Sequence, residues 1–397
     1  MPPPLISFTA WPEMLAWPYL MLNGWLPYRD IAIAHTPLLL IIASAWYKVF
    51  GLGLLQLQLL TWVIFSLSAL LLYLTSRSGK ALLVYAALWA AFGGNALWFD
   101  LALAPLAIML HRAIHGQRPV LAGGWAGLML LTKQTALWFI LPALWAVRLR
   151  GRFLAALACV LAVFLGLLAA AGLLADFYVW AVRFGIFILP RSPGQIQLPT
   201  LKQLLLAVFP VVIFLFNKSN WRLLPWVVAG SLGVYPRWEL FHLQPALPFL
   251  ALGLGRSRLG TALVVGYCLA LLARVPAPAV PRFFEPEFIQ LVKTVKSRTS
   301  PGDRVFILNT WDHFYALTDT LPAVRPLIPY LPWYLDQPGI QEKVIRDLAL
   351  SPPSLIVVRD HDSSGLGAYR PTLISSFLSA DFYPVLRVGP YRLFGVK

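Results

Sequence analysis

The chain has 397 residues, of which 59% are hydrophobic and only 12% are charged, and its mean hydropathy is +0.71. A water-soluble fold of this composition would have too little polar surface to cover itself, so the sequence indicates a polytopic membrane protein. The net charge of +16 does not indicate nucleic-acid binding, because the basic residues are scattered through short links between apolar segments and form no basic stripe.

The first 33 residues do not form a signal peptide, because prolines at positions 2–4 open the chain in place of a basic start and an apolar core. Pro12 and Pro18 are expected to break up any helix in this part of the chain. The stretch 23–39, NGWLPYRDIAIAHTPLL, then places four polar side chains just ahead of a long apolar region: Tyr28, Arg29, Asp30 and His35.

Apolar segments dominate the next 220 or so residues. From His35 to Phe50 we expect a helix in the membrane interface, because it ends in Trp46, Tyr47 and Lys48. The segments after it predict about ten spans: 54–76, 80–94, 100–113, 119–131, 135–147, 153–173, 202–217, 222–235, 243–255 and 259–276. Several are shorter than the roughly 20 residues of a straight crossing, so we expect tilt, local thinning or protein-lined cavities at their ends.

The distribution of charge gives independent evidence on topology. If the N-terminal loop is outside, each of five inner links carries at least two Lys or Arg and no acid: 76–80, 111–118, 148–152, 217–222 and 256–258. All five carboxylates before residue 280 fall on or near the outer face: Glu13, Asp30, Asp100, Asp176 and Glu239. Acids with a few selected cations at one end are what an active site or a binding cavity there requires.

The segment around Lys133 must turn back toward the inner side, because Arg118 and Arg148 both belong there. Each half of this hairpin has about 13 residues, or roughly 20 Å, against a hydrocarbon core of about 30 Å. We therefore expect Lys133, with Gln134 beside it, in a cavity below the outer surface, where a phosphate would pair with the ammonium. The alternative is an ammonium that snorkels to the interface.

A second outer cluster is the loop 235–245, YPRWELFHLQP. The functional interpretation is that Arg237, a side chain well suited to phosphate, lies at the same depth as Lys133. The alternative is a local ion pair between Arg237 and Glu239 with His242 as an ordinary loop histidine.

After Arg282 the composition changes, since the last 115 residues hold the other 11 of the 16 acids. Their pattern predicts a soluble α/β domain with helices near 285–297, 340–350 and 371–378 and strands at 304–308, 354–358, 384–388 and 391–396. Trp311, Asp312 and His313 follow a strand end, but no phosphate loop, Ser/His/Asp order or metal-ligand spacing accompanies them, so we interpret them as structural.

The predicted fold class is thus an α-helical polytopic membrane bundle of about ten spans plus an interfacial helix, with a small C-terminal α/β soluble domain. The predicted divisions are an outer first loop with the interfacial helix at 1–53, the transmembrane bundle at 54–276, a proline-rich hinge at 277–282 and the α/β domain at 283–397. By parity the α/β domain is extracytoplasmic.

Three motifs, taken together and in this order, resemble a known family. They are G-x-x-P-Y-R-D followed by H-x-P in the first loop, the L-T-K-Q-T segment and the P-R-x-x-x-x-H-L-Q-P-A-L-P loop. The set resembles the bacterial membrane glycosyltransferases of the GT-C superfamily, family 39-like, which are related to protein O-mannosyltransferases and lipid A aminoarabinose transferases. The resemblance covers most of the membrane part, and the tail is similar to the small periplasmic domain that many of these proteins carry.

This resemblance implies an inverting enzyme of the plasma (inner) membrane that passes a sugar from a polyprenyl-phosphate donor to an acceptor on the extracytoplasmic face. Its partners would be membrane lipids, the donor and an unidentified glycan, lipid or protein acceptor. The lipid-linked donor needs no nucleotide and no other cofactor is implied, although a divalent metal is compatible with the family. Members of the family begin with a spanning helix ahead of the first loop, so either such a helix lies upstream or this is a shortened member.

The resemblance also implies roles for the outer polar residues. Its base lies ahead of the Gly-x-x-Pro-Tyr-Arg-Asp turn, which favours Glu13, while Asp30 is either a second catalytic carboxylate or a salt-bridged loop staple. The donor phosphate would be bound by four residues: Lys133, Arg237, His242 and His35. The substrate contacts would come from Tyr28, Arg29, Asp100, Gln134 and Glu239. The alternative for Asp100, at the start of a span, is a helix cap.

Two rival functions stay open at this point. A lipid or solute transporter, or a flippase without covalent chemistry, would show internal repeats and charges near the membrane midplane. We find no repeat in this sequence, and its charges lie toward one face. The other rival is a non-catalytic scaffold whose acids only orient loops.

Overall fold

A computed structural model describes residues 8–192, 195–274, 280–329, 331–359 and 371–396. A helical bundle precedes a small sheet domain. The helices before residue 275 are α1 Glu13–Leu22, α2 Leu38–Phe50, α3 Leu54–Ser76, α4 Gly79–Ala91, α5 Phe99–His115, α6 Pro119–Thr132, α7 Ile140–Ala146, α8 Arg150–Ala170, α9 Leu174–Phe177, α10 Leu201–Leu215, α11 Leu224–Ser231, α12 Leu247–Leu254 and α13 Arg258–Arg274. Shorter 3₁₀ turns lie between several of them, and a π-helical segment, Tyr178–Ile188, follows α9.

The number of membrane crossings is the part of the fold prediction that the structure does not confirm. Two helices in the described part of the chain, α3 and α8, are long and apolar enough to cross, and the bent pair 201–215 with 218–234 could add a third. Helices stand at the other predicted spans, but they are short, since α4 and α6 have 13 and 14 residues. At 1.5 Å per residue, 14 residues give roughly 21 Å, which is less than the hydrocarbon core.

The C-terminal domain agrees closely with the α/β prediction. Its helices are α14 Pro286–Lys296, α15 His313–Thr318, α16 Pro332–Leu335, α17 Ile340–Leu350 and α18 Thr372–Asp381, and its strands are β1 Arg304–Leu308, β2 Leu321–Pro322, β3 Leu355–Arg359, β4 Phe382–Val388 and β5 Tyr391–Val396. The sheet order is β2-β1-β3-β5-β4, with β1 parallel to β2 and β3 and with β5 antiparallel to β3 and β4. The predicted hinge falls at 277–282, and its residues 277–279 lie outside the described part of the chain.

Helix α1 corrects the expectation that Pro12 and Pro18 prevent a helix in the first loop. Pro12 stands just before the helix, where a missing N–H costs nothing, and Pro18 lies inside it. A proline at position 18 leaves the carbonyl of Met14 without its helical donor, and the buried hydroxyl of Tyr47 donates to that oxygen at 3.1 Å. Helix α1 therefore persists because tertiary packing against α2 and α15 satisfies the group that the proline freed.

The first loop and the C-terminal domain are joined by backbone hydrogen bonds. The amide of Leu327 donates to the carbonyl of Asp30 at 2.8 Å, and the amide of Ala32 donates to the carbonyl of Leu327 at 3.0 Å. One buried apolar cluster continues from the first loop into this domain, with Trp17 and Phe314 among its members. The C-terminal domain thus packs directly against the first loop, and the two together cover one end of the bundle.

Candidate functional site

Three ionisable side chains from distant segments meet at the end of the bundle where α5 begins. The ammonium of Lys133 lies 2.6 Å from Oδ2 of Asp100, and Nδ1 of His242 lies 2.6 Å from the same oxygen. Asp100 is fully buried, and Lys133 and His242 are 5% and 9% exposed. We call these three residues the charged triad. Asp100 is in the first turn of α5, but its side chain makes no capping hydrogen bond to the helix. Its Oδ2 instead contacts Lys133 and His242.

Lys133 lies at a break between two helical segments. Helix α6 ends at Thr132, and Lys133 adopts an extended conformation before the 3₁₀ turn Gln134–Phe139 begins. The side chain of Gln134 donates to the carbonyl oxygens of Ala34 at 2.8 Å and Ala181 at 3.0 Å. Gln134 therefore joins the helical hairpin to the first loop and to the π-helical segment 178–188, which the sequence analysis did not predict.

A cavity of about 390 Å³ opens beside the charged triad. We call it the lysine cavity, because Lys133 lines it together with Gln134, Arg237, His242 and His35. Its rim includes apolar side chains that are half exposed at the protein surface: Leu137, Trp138, Ile186 and Tyr235. The cavity thus combines a cationic interior with an apolar entrance.

A second cavity, of about 170 Å³, adjoins the first. We call it the carboxylate cavity, because Glu13 lines it near Arg237 and Glu239. The two cavities share six lining residues: His35, Trp98, Leu189, Gln195, Arg237 and His242. Glu13 from the first loop and Lys133 from the hairpin therefore line neighbouring cavities that share part of their walls.

Glu13 is the first residue of α1, outside the predicted spans, and it is partly buried. Burial raises the pKa of its carboxyl from 4.5 to about 7. The negative charge of Glu13 adds to burial in raising the pKa of Asp312 well above its ordinary value. A carboxyl that titrates near neutral pH can accept a proton from a substrate and release it again.

Several polar atoms in the walls lack a hydrogen-bond partner among the described residues. They are Nε1 of Trp11, Oε2 of Glu13, Nε1 of Trp17 and Oε1 of Gln195, and all four atoms are buried. Buried polar groups in proteins are nearly always hydrogen-bonded, so an unpartnered set around a cavity indicates a ligand with complementary hydroxyl or acid groups.

In the loop 235–245, Arg237 makes the local ion pair of one sequence interpretation and also lies at the cavities, as the other interpretation expects. Arg237 pairs with Glu239 through an Nε–Oε1 contact of 3.0 Å, as the local alternative expects, and the guanidinium also lies over the ring of Trp333 at 5.9 Å. Arg237 nevertheless lines both cavities. One nitrogen of its fork is used locally, which leaves the terminal nitrogens for a ligand.

His35 is also brought to the site. It lines both cavities, packs against Phe99 at 4.4 Å between ring centroids, and is a neighbour of Lys133. Burial and the positive charge of Lys133 lower the pKa of His35 to about 3, so its imidazole is neutral. A neutral imidazole supplies one hydrogen-bond donor and one acceptor.

Three first-loop residues are not brought to the cavities. Asp30 accepts from the amide of Leu26 at 2.8 Å and lies 3.8 Å from the guanidinium of Arg325, which is the loop-staple arrangement. Arg29 pairs with Asp176 at 3.4 Å. Tyr28 is buried at a φ of +69°, and its hydroxyl donates to the carbonyl of His35 at 3.0 Å. These contacts fix the loop that carries His35, so the structure does not support direct catalytic or substrate contacts for the three residues.

Other wall residues were missed by the sequence analysis. Arg282 lines the carboxylate cavity and lies over the ring of Trp11 at 5.5 Å. Trp333 and Tyr334 reach the same cavity from the C-terminal domain, as does Trp311, which the sequence analysis interpreted as structural. The available signal was the concentration of aromatic residues in loops predicted to be outside, since a polar cavity with aromatic walls is typical of ligand sites.

His313 stays structural, because it is fully buried and its Nε2 donates to the carbonyl of Phe283 at 2.9 Å. No group of three or more His, Cys, Asp or Glu side chains in the described ranges could hold a metal ion. The charged triad contains only one acid and one histidine with a lysine ammonium, which is a donor set for an anion.

The chain matches no protein-family model. No curated protein is significantly similar to it. Solved structures of similar fold include ArnT from Cupriavidus metallidurans bound to undecaprenyl phosphate, with 12% identity and a TM-score of 0.62, and the same protein in the apo state, with 13% identity and a TM-score of 0.61. Each comparison covers 98% of this chain and 94% of that chain. The chain is therefore similar in fold to ArnT over nearly its whole length.

Proposed function

We propose that this protein is an inverting membrane glycosyltransferase that takes a sugar from a polyprenyl-phosphate donor. The observation that carries the proposal is that the cavity lined by the carboxyl of Glu13 adjoins the cavity lined by Lys133, and that Arg237 lines both. The fold shared with ArnT supports a lipid-linked donor, because one of the ArnT structures holds undecaprenyl phosphate.

The donor phosphate fits the lysine cavity. The donor phosphate is a diester with one negative charge, and the departing polyprenyl phosphate carries two. Lys133 and Arg237 would meet these charges, with His242 and the neutral His35 as hydrogen-bond partners. The polyprenyl tail would leave through the apolar rim, where Leu137, Trp138 and Ile186 are exposed at the protein surface. Asp100 would act as a positioning residue, since its carboxylate holds Lys133 and His242 in place.

The sugar and the acceptor fit the carboxylate cavity. Unpartnered Trp11 and Trp17 N–H groups are donors for sugar hydroxyls, and Gln195 supplies an acceptor. The acceptor hydroxyl would give its proton to Glu13 as its oxygen forms a new bond to the anomeric carbon. The bond from that carbon to the phosphate oxygen breaks at the same time, and the electron pair leaves with the polyprenyl phosphate, whose charge the cations stabilise. Attack opposite the leaving group inverts the anomeric centre.

The membrane placement belongs to this proposal. We place the protein in the plasma (inner) membrane with the α/β domain and both cavities on the extracytoplasmic side, because the inner links carry the excess of Lys and Arg. The proposed divisions are those of the sequence analysis, 1–53, 54–276, 277–282 and 283–397. Modification of single cysteines introduced on the α/β domain by a membrane-impermeant reagent tests this orientation in intact cells.

The main experiment uses the protein in proteoliposomes with a panel of radiolabelled polyprenyl-phosphate sugars and a membrane extract as the source of acceptor. We expect label to move to an acceptor, and Glu13→Gln to lower the rate by about 10²- to 10⁴-fold with donor affinity unchanged. Glu285→Gln, at another carboxylate outside both cavities, is the matched control. Lipid scrambling without any transfer of label would support a flippase instead, and equal rates for Glu13→Gln and the wild type would remove Glu13 as the base.

A further inference from the structure

The far end of the bundle holds a third cavity, of about 710 Å³. Helix α5 connects the two sites, because Asp100 lies in its first turn and His115 ends it and lines this cavity. They are 15 residues apart, which spans roughly 22 Å at 1.5 Å per residue. We call this the basic cavity, because four cations line it: Lys80, Arg112, Arg222 and Arg256. Its described lining contains no Asp or Glu.

The four cations come from four different links, so the tertiary fold assembles the site. Lys80 belongs to the link 76–80, Arg112 to 111–118, Arg222 to 217–222 and Arg256 to 256–258. Hydroxyl groups of Thr75, Ser76 and Ser78 line the same cavity, and Ser78 caps the N-terminus of α4. The positive end of that helix adds to the cationic field.

The local contacts of these cations are with neutral groups. Arg112 donates to the hydroxyl of Thr75 at 3.4 Å, and Arg256 donates to the carbonyl of Ser219 at 3.0 Å. No ion pair within the described residues includes Lys80 or Arg222. Four like charges around one hollow repel one another, and an anion in the hollow would offset that repulsion.

An independent observation points to a ligand. His111 lines the basic cavity and is only 7% exposed, yet neither of its ring nitrogens has a hydrogen-bond partner among the described residues. Its ring packs against Trp226 and Phe249, which fixes its orientation. The neighbouring His115 uses Nδ1 to donate to the carbonyl of His111 at 2.9 Å. A buried imidazole without partners is costly, and a ligand with an acceptor oxygen would satisfy its N–H once the side chains that now cover the ring nitrogens move aside.

The excess of Lys and Arg on the predicted inner links explains why this end of the bundle is positive. It does not explain why four of these cations line one cavity. Arg148, Arg150, Arg152 and Lys218 belong to the same inner links and obey the same rule, yet none of them lines the hollow. The convergence of four cations and an unpartnered histidine on one cavity matches the chemistry of a phosphate ester, which presents several charged acceptor oxygens.

We propose that the basic cavity binds a phosphate ester anion at the end of the bundle opposite the charged triad. This chemistry has two sources, the headgroup of an acidic phospholipid and a soluble phosphate compound. The proposal does not rest on the glycosyltransferase function, because it uses none of the residues of the two outer cavities.

The test uses the full chain purified in detergent and three probes: dioctanoyl phosphatidic acid, glycerol 3-phosphate and, as the zwitterionic control, dioctanoyl phosphatidylcholine. Native mass spectrometry and the unfolding temperature report binding, since a ligand that binds only the folded state raises that temperature. We expect phosphatidic acid or glycerol 3-phosphate to bind and phosphatidylcholine not to bind. Binding of phosphatidic acid alone identifies a lipid headgroup, and equally tight binding of glycerol 3-phosphate identifies a soluble phosphate ester.

Two double variants make the test specific. Lys80→Gln with Arg222→Gln removes two cations of the cavity, and we expect affinity to fall at least tenfold. Arg152→Gln with Lys218→Gln removes the same charge from exposed inner residues outside the cavity and should leave affinity unchanged. His111→Phe keeps the ring packing and should weaken binding without lowering the unfolding temperature of the free protein. Failure of both phosphate probes to bind, or equal weakening in the two double variants, would overturn the proposal.

Discussion

Cations line cavities at both ends of the helical bundle, but among the described residues they face carboxylates of the same chain only at the end that holds the charged triad. There, Asp100 neutralises part of the charge of Lys133 within 2.6 Å, and Glu13 lines the adjoining cavity. At the opposite end the four cations of the basic cavity have no such partner in its described lining. Positive charge therefore has two different roles in this fold. A cation held in place by an acid of its own chain is positioned for an anion that binds transiently, whereas cations without such an acid require an anion supplied by a ligand.

The largest effect should follow from breaking the charged triad. Asp100→Asn removes the buried anion and leaves Lys133 uncompensated, so we expect a loss of about 3–5 kcal/mol in the free energy of unfolding and loss of transfer. Denaturant unfolding of the purified protein measures the first effect and the proteoliposome assay the second. Asp176→Asn, which breaks the exposed pair with Arg29, is the control and should cost less than about 1 kcal/mol. Similar losses in both variants would contradict the comparison.

Removing the cation that both outer cavities share should have the next largest effect. Arg237→Gln keeps a polar side chain beside Glu239 but removes the charge, so we expect the Kd for a polyprenyl phosphate to rise about 10- to 100-fold. Equilibrium binding of a labelled short-chain polyprenyl phosphate measures this. Arg191→Gln removes an exposed charge outside both cavities and should leave the Kd unchanged. Equal affinity in Arg237→Gln would favour the local ion pair as the only role of Arg237.

The raised pKa of Glu13 predicts a pH dependence of both transfer and stability. A base must be deprotonated, so kcat/KM should rise about tenfold per pH unit below about 7 and level off above it, and Glu13→Gln should lose this rise. Stability should change in the opposite direction. Because the folded state holds the proton more tightly than the unfolded state, the contribution of Glu13 to stability falls as pH rises from about 4.5 to about 7.

Unfolding temperatures measured across that pH range, for the wild type and Glu13→Gln, test the second part. The variant should show the smaller decrease, with Asp312 contributing the remainder in the same direction. A pH–rate profile that is flat between 5 and 7 in the wild type would contradict a base with this pKa.

The smallest effect should come from the first-loop carboxylate that lies outside the cavities. Asp30→Asn keeps an acceptor for the amide of Leu26 and loses only the 3.8 Å pair with Arg325, so we expect about 1 kcal/mol of destabilisation and no change in kcat. Unfolding and transfer measured side by side with Glu13→Gln distinguish the two acids. A hundredfold fall in kcat for Asp30→Asn would move the catalytic role to Asp30.

Much of the fold was accessible from sequence because local signals were strong. Alternation and turn residues placed β1 and β5 at their observed bounds, and uninterrupted apolar residues did the same for α3. Helix α1 was missed because proline is a local breaker, and only the distant hydroxyl of Tyr47 satisfies the carbonyl that Pro18 frees. The number of crossings stays a prediction, because apolar composition does not distinguish a helix that spans a membrane from a short helix packed inside a protein.

The sequence by itself determined the class of protein, the grouping of acids toward one face and the C-terminal α/β domain, since each of these follows from composition or from periods of a few residues. Only the tertiary structure decided which charges meet. Asp100, Lys133 and His242 are separated by 33 and 109 residues along the chain, and no local rule gives the 2.6 Å contacts among them. The same holds for Glu13 and Asp30, whose local sequences are equally polar but whose packing points one carboxylate into a cavity and the other into its own loop.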